Sequence, residues 1–301
     1  MFQEYDLNAS GRSLYVFTVT RPASLSEPAP VSLPAAAAEG GAPLGPGSLT
    51  WSYFGDSRVV LLALRAGVLQ AMHPVIAAAL AQHSDVSENP LWRLVRSAGR
   101  ILGVVYDGDP DATGRWIRDQ HVAIRGRYGN VGRYRALDPD AFFWAHATFF
   151  EGQIATQELF GVPLAAHARR RLYAESITWY GRYGVSMRPV PSDYEEFERY
   201  WERMLAEVLE ATPIARAVVR ADLELGTPHP ALDGPARALL RWPLGLTGAW
   251  LVRSTLPTRA LEILGVSPSR VECLALAGLQ AVIRTAWPAL PSQLKRLPGA
   301  S

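Results

Sequence analysis

The chain has almost no cysteine and almost no lysine: Cys273 and Lys295 are the single residues of each type among 301. One cysteine excludes an internal disulfide, a thiolate zinc cluster and the CxxCH attachment of c-type haem. Histidine is also sparse. No two of the six histidines lie closer than ten residues in sequence, so HExxH and clustered zinc ligation are absent. GxSxG and CxxC are missing, which leaves nucleophilic hydrolysis without its signals. The carboxylates gather mainly on one Glu-rich helix face, away from the paired arrangement that glycoside hydrolysis needs. Net charge is +2 and no basic block dominates, so nucleic acid is not an expected partner. No uncharged apolar run of about 18 residues occurs, and a transmembrane segment is therefore not expected. MFQEYDLNASGRSLYVFTVT lacks the basic start and continuous apolar run of a signal peptide, which predicts a cytoplasmic protein.

What is present suits one large domain: 49% of the residues are hydrophobic, enough for a substantial core. Residues 1–48 stand apart as a Pro/Ala/Gly-rich arm, read either as a mobile tail or as a segment that wraps a second subunit of a homodimer or covers a pocket. Residues 49–301 read as a single all-α domain without a strand succession, a repeat or a heptad run. An apolar helix is expected from about Arg58 to His83, bent at Gly67 or Pro74, with His73 as a core histidine bonded to a backbone carbonyl that Pro74 frees. The next helix, NPLWRLVRSAGRILGVVYDGD, carries Arg93, Arg96, Ser97 and Arg100 on one polar stripe. That stripe is either a solvated face or an arginine-lined edge for a propionate or a substrate carboxylate.

The chain is organised around the stretch from Pro110 to Glu151. DPDATGRWIRDQHVAIRG and DPDAFFWAHATFFEG read as two helices, with Asp109 and Asp138 as caps and Pro110 and Pro139 at the first helical position. Each holds one mid-helix histidine, His121 and His146. Ile117, His121 and Ile124 recur at helical spacing, so His121 points with the apolar side, flanked by Arg118 and Arg125. A core-facing histidine beside arginines is biased towards neutral imidazole, the form that binds metal. The link between the two helices reads as a glycine loop. Phe142, Phe143, Trp144, Phe149 and Phe150 make the second helix apolar all round, which marks it as the buried central one, with His146 and Thr148 as its polar residues.

Further on, SDYEEFERYWERMLAEVLEATPIARAVV opens with Ser192 as cap and Glu195 three residues later, the pattern of a capping box. The remainder reads as three shorter apolar helices, with Cys273 as a small core residue. Apolar helices, lone histidines and nearby arginines fit haem b: one axial imidazole, apolar walls, and guanidinium for the propionates.

A resemblance adds to this. GDSRVVLLALRAGVLQAMHPVIAAAL, RLVRSAG, RDQHVAIRG, YRALDPDAFFWAHATF, RRLYAES and the closing TAWPALPSQLKRLPGA are similar to the DUF2236 family, which includes the mpaB-type oxygenases and is related to the latex-clearing proteins. The similarity spans roughly Leu49 to Ala300. It implies an all-α, multi-helix bundle with a globin-like core and haem b as the iron cofactor. It places the proximal ligand at His121, and at Arg93, Arg96 and Ser97 the distal residues that act in catalysis. In the relatives a lysine stands where this chain has Arg96. Arginine stays protonated and is a poor iron ligand, which predicts an open or water-bound distal position and argues against polymer cleavage.

The expected function is thus a haem-b-dependent oxygenase or related oxidoreductase. Its partners would be a small apolar or aromatic metabolite and an electron donor that the sequence does not name. His121 is the expected iron ligand, with His146, Arg118 and Arg125 as further cofactor contacts, or His146 as the ligand in its place. Two alternatives stand beside it: a haem- or apolar-ligand-binding protein on the same scaffold without turnover, and a haem-free hydrolase using His121 or His146 as base.

Overall fold

The computed structural model describes residues 44–84, 90–221 and 235–300, with the backbone alone at 90–96, 130, 235–242 and 244. The helices are α1 (Leu49–Phe54), α2 (Val60–Ala71), α3 (Pro74–His83), α4 (Pro90–Tyr106) and α5 (Pro110–His121), then α6 (Pro139–Phe160), α7 (Ala166–Gly181), α8 (Tyr194–Arg203) and α9 (Pro213–Val219), and last α10 (Pro235–Thr255), α11 (Thr258–Leu264), α12 (Arg270–Ala286) and α13 (Ser292–Lys295). The fold is mostly α, as expected, with one small two-stranded sheet among the described residues. Residues 1–43 of the expected arm and the Asn89 cap lie outside the described residues; Leu44 and Ser48 are buried.

The expected long helix is two helices. Pro74 disfavours a helical conformation for the residue before it, and His73 is extended at φ −77 and ψ 124. α3 leaves at 101° to the preceding segment. His73 is buried, but its bond is not to a carbonyl: Nδ1 accepts the Val75 N–H at 3.3 Å and so caps α3. No single described helix is long and apolar enough to cross a membrane.

Asp109 and Asp138 cap α5 and α6 as the Asp-Pro pairs predict, Asp109 accepting from Ala112 N–H and Asp138 from the N–H groups of Asp140 and Ala141. Two boundaries differ from expectation. α5 stops at His121, and the following residues form a hairpin, β1 (Arg125–Tyr128) with β2 (Gly132–Arg135), in antiparallel register from Arg125 opposite Arg135 to Tyr128 opposite Gly132. The turn places Gly129 at φ +40 and Gly132 at φ +71, a conformation that glycine takes without a Cβ penalty. Tyr134 turns inward and the arginines stay out, the alternation of a strand. α6 in turn runs through Gly152 to Phe160, because surrounding packing outweighs the roughly 1 kcal/mol that a mid-helix glycine costs.

α6 is the centre of the core, with Phe143, Trp144 and Phe150 fully buried beside Trp179 and Tyr180 of α7. α2 runs antiparallel along it, as the pairs between them show: Trp144 Nε1–H donates to the Leu69 carbonyl, Gln70 to Thr148 Oγ1, and Arg65 to Glu151. Asp193, not Ser192, caps α8 by accepting from Glu196 N–H at 2.8 Å. The capping box instead stands at Ser269 and Glu272 on α12. That helix has no buried residue, and Cys273 is exposed, contrary to its expected place in the core.

Candidate active site

A cavity of about 730 Å³ lies between α2, α3, α4, α5 and α6. Its size is that of a small-molecule or cofactor site, roughly 300–1,000 Å³. Most of the wall is apolar: Leu62, Val68, Ile76, Ile101, Ile117 and Phe149 are typical. The polar groups that line it are few, among them Gln70, Ser97, His121, His146, Thr148 and Gln153.

His121 ends α5 and turns into this cavity. Its Nδ1 lies 2.8 Å from the Ile117 carbonyl, one helical turn back. A carbonyl only accepts, so Nδ1 carries the proton. Phe142 of α6 packs against the ring with centroids 5.5 Å apart, and Tyr183 lies a further 5.5 Å from Phe142.

His146 also borders the cavity but is enclosed: Trp179, Tyr180, Phe143 and Tyr183 surround it at 4.6, 5.0, 6.1 and 6.2 Å. Neither ring nitrogen makes a well-formed hydrogen bond. Burial pushes its pKa down to about 3, opposed weakly by the Ser176 backbone, so the ring is neutral. Tyr183, whose hydroxyl accepts the Trp179 indole N–H at 3.1 Å, has its pKa raised by burial and stays a phenol.

Of the distal stripe on α4, Ser97 lines the cavity; the side chains of Arg93 and Arg96 lie outside the described residues. Arg100, one turn on, reaches the cavity edge with its guanidinium 4.6 Å over the Trp116 ring. The arginines flanking His121 go elsewhere. Arg118 pairs with Asp119 at 2.8 Å, and Arg125 sits exposed on β1; neither lines the cavity. Ending α5 at His121 is what moves Arg125 off its expected position.

Among the described residues, no group of three or more His, Cys, Asp or Glu could hold a metal ion. An imidazole held by a carbonyl at one nitrogen and lining an apolar cavity fits an iron cofactor that takes one ligand from the protein.

A family model described as "ER-bound oxygenase mpaB/B'/Rubber oxygenase, catalytic domain" matches residues 51–285, well over half of the chain. The chain belongs to this oxygenase family. Its matched region contains every cavity-lining residue discussed above. No individual curated protein matches the chain at a significant level.

Gln153, Tyr183 and Phe142 were not singled out as site residues from sequence. Gln153 follows the glycine at which the helix was expected to end. Its spacing of seven residues from His146, two turns along one helix face, was the available signal.

Proposed function

We propose that the protein is a haem-b-dependent oxygenase acting on a small apolar or aromatic molecule. The observation that carries this is His121: a cavity-lining imidazole whose Nδ1 is tied to the Ile117 carbonyl, within the family's catalytic domain. When bound, haem b supplies an iron centre for oxygen chemistry. His121 Nε2 is the nitrogen that would hold the iron, and the Ile117 carbonyl orients the ring and raises its basicity. Ser97 offers a hydroxyl to the same cavity from α4. Arg93 and Arg96, on the same helix, are assigned to the propionates or to the distal side. The apolar walls orient an apolar substrate and exclude water. His146, neutral and caged, stays out of iron ligation and can accept or donate one hydrogen bond at the cavity border.

The visible spectrum of protein produced with a haem precursor tests this. A Soret band that shifts with dithionite and again with carbon monoxide is expected, followed by oxygen uptake with substrate. A protein that remains colourless after haem reconstitution overturns the assignment. A coloured one that consumes no oxygen with any apolar substrate is a binding protein.

A further inference from the structure

Gln153 is 1% exposed, and both polar atoms of its carboxamide are buried without a hydrogen-bond partner in the protein. Leaving such a group unpaired is costly, so a buried amide of this kind calls for a partner. Gln153 lines the cavity, whose wall also includes the apolar Leu62 and Phe149. Two charged residues of α2 and α6, Arg65 and Glu151, pair with each other.

The position along the helix gives the site a direction. Gln153 is eleven residues beyond Phe142, the residue that touches His121, which amounts to roughly 16 Å along α6. The cavity therefore has an imidazole towards one end and a neutral carboxamide towards the other. Gly152, beside Gln153, has nothing within 4 Å of where a Cβ would stand, which leaves that wall open.

We infer that Gln153 is a specificity-determining residue that binds a neutral hydroxyl or carbonyl group on an elongated apolar substrate, holding the rest of the molecule towards His121. A carboxamide donates and accepts but carries no charge, so it matches an alcohol or a ketone and offers a carboxylate no counter-charge. A site built to hydrogen-bond such a group discriminates against an analogue that lacks it, because the buried amide is then left unpaired. This substrate class rests on the oxygenase assignment for what happens next, but binding is measurable without turnover.

The test is calorimetric binding of 4-phenyl-1-butanol, 4-phenyl-2-butanone, butylbenzene and 4-phenylbutyrate to the full haem-treated chain, wild type against Gln153→Met. Met keeps the length and flexibility of the side chain and removes the amide. Expected is a loss of about tenfold for the alcohol and the ketone, with butylbenzene unchanged or tighter, and with phenylbutyrate weakest on the wild type. Equal changes for all four, or none, overturn the inference and leave Gln153 bonded to buried water. Should Gln153→Met fail to fold, Gln153→Leu repeats the comparison, and a wild type that binds phenylbutyrate more tightly than the alcohol overturns the inference without any variant. The Soret band is read on the same samples. Colourless protein that keeps the amide-dependent preference defeats the haem assignment alone; coloured protein without it defeats the Gln153 assignment alone.

Discussion

The Nδ1–H of His121 donates to the carbonyl of Ile117 four residues earlier, at 2.8 Å, in the last turn of α5. That carbonyl lies one turn back along the same helix, so the bond ties the ring to α5 and fixes which nitrogen carries the proton. His121→Ala is expected to abolish haem retention while leaving the far-UV circular dichroism spectrum unchanged. His146→Ala is expected to keep the Soret band, because an imidazole caged by four aromatic rings is not offered to the iron. The opposite pattern, haem kept by the first variant and lost by the second, would make His146 the ligand.

Arg65 and Glu151 join α2 to α6 beside the cavity. The guanidinium is 4% exposed, meets both carboxylate oxygens at 2.5 and 2.7 Å, and also donates to the Thr255 carbonyl of α10. Removing one partner leaves the other charge in a largely dry place. Arg65→Met and Glu151→Gln are each expected to cost about 3 kcal/mol in urea unfolding. The double variant Arg65→Met with Glu151→Gln should cost clearly less than the sum, since it leaves neither charge stranded. Additive costs would mean that the pair contributes no coupling.

The central helix, its aspartate cap and its one histidine, His146, were legible in the sequence, because capping chemistry and apolar spacing are local. What escaped was decided elsewhere in the fold. Gly152 reads as a stop, yet α6 passes through it because Phe150, Ile154 and Phe160 on either side of it are buried in the core. Arg118 and Arg125 flank His121 only if α5 continues, and the positive φ of Gly129 and Gly132 turns the chain into a hairpin instead. Cys273 has the neighbours of a core residue, but α12 packs at the edge and leaves it exposed. Gln153 is invisible to hydrophobic patterning, since its meaning comes from two unpaired atoms beside a cavity.

His73 makes stability depend on acid. Burial pulls its pKa down to about 4 from 6.5, with Asp138 and Asp140 opposing, and Nδ1 must stay unprotonated to accept the Val75 N–H. The unfolded chain takes up this proton first on acidification. Its contribution is complete above pH 6.5 and is lost as the pH falls towards 4, about 3 kcal/mol in all. His73→Asn keeps a capping acceptor without the titration. The difference in unfolding free energy between pH 7 and pH 4 should shrink by about that amount in the variant. An unchanged difference would remove His73 as a source of the acid sensitivity.

Gly114 fixes the position of the helix that carries His121. It is buried on α5, and a Cβ there would run into the Arg182 carbonyl oxygen and stand 3.1 Å from the Tyr183 nitrogen. Both obstacles are backbone and cannot rotate away. Alanine in place of a helical glycine gains about 1 kcal/mol in propensity, but forcing a methyl against fixed backbone costs roughly 1–3 kcal/mol and moves the helix. Steric crowding wins because Tyr183 is itself packed between Phe142 and His146. Gly114→Ala is therefore expected to lower the thermal midpoint and to weaken haem binding by displacing His121. Gly108→Ala, in the loop before α5 with nothing within 4 Å of its Cβ position, should leave haem binding unchanged. Gly114→Ala with full stability and undiminished haem affinity would show that α5 can shift without disturbing the site.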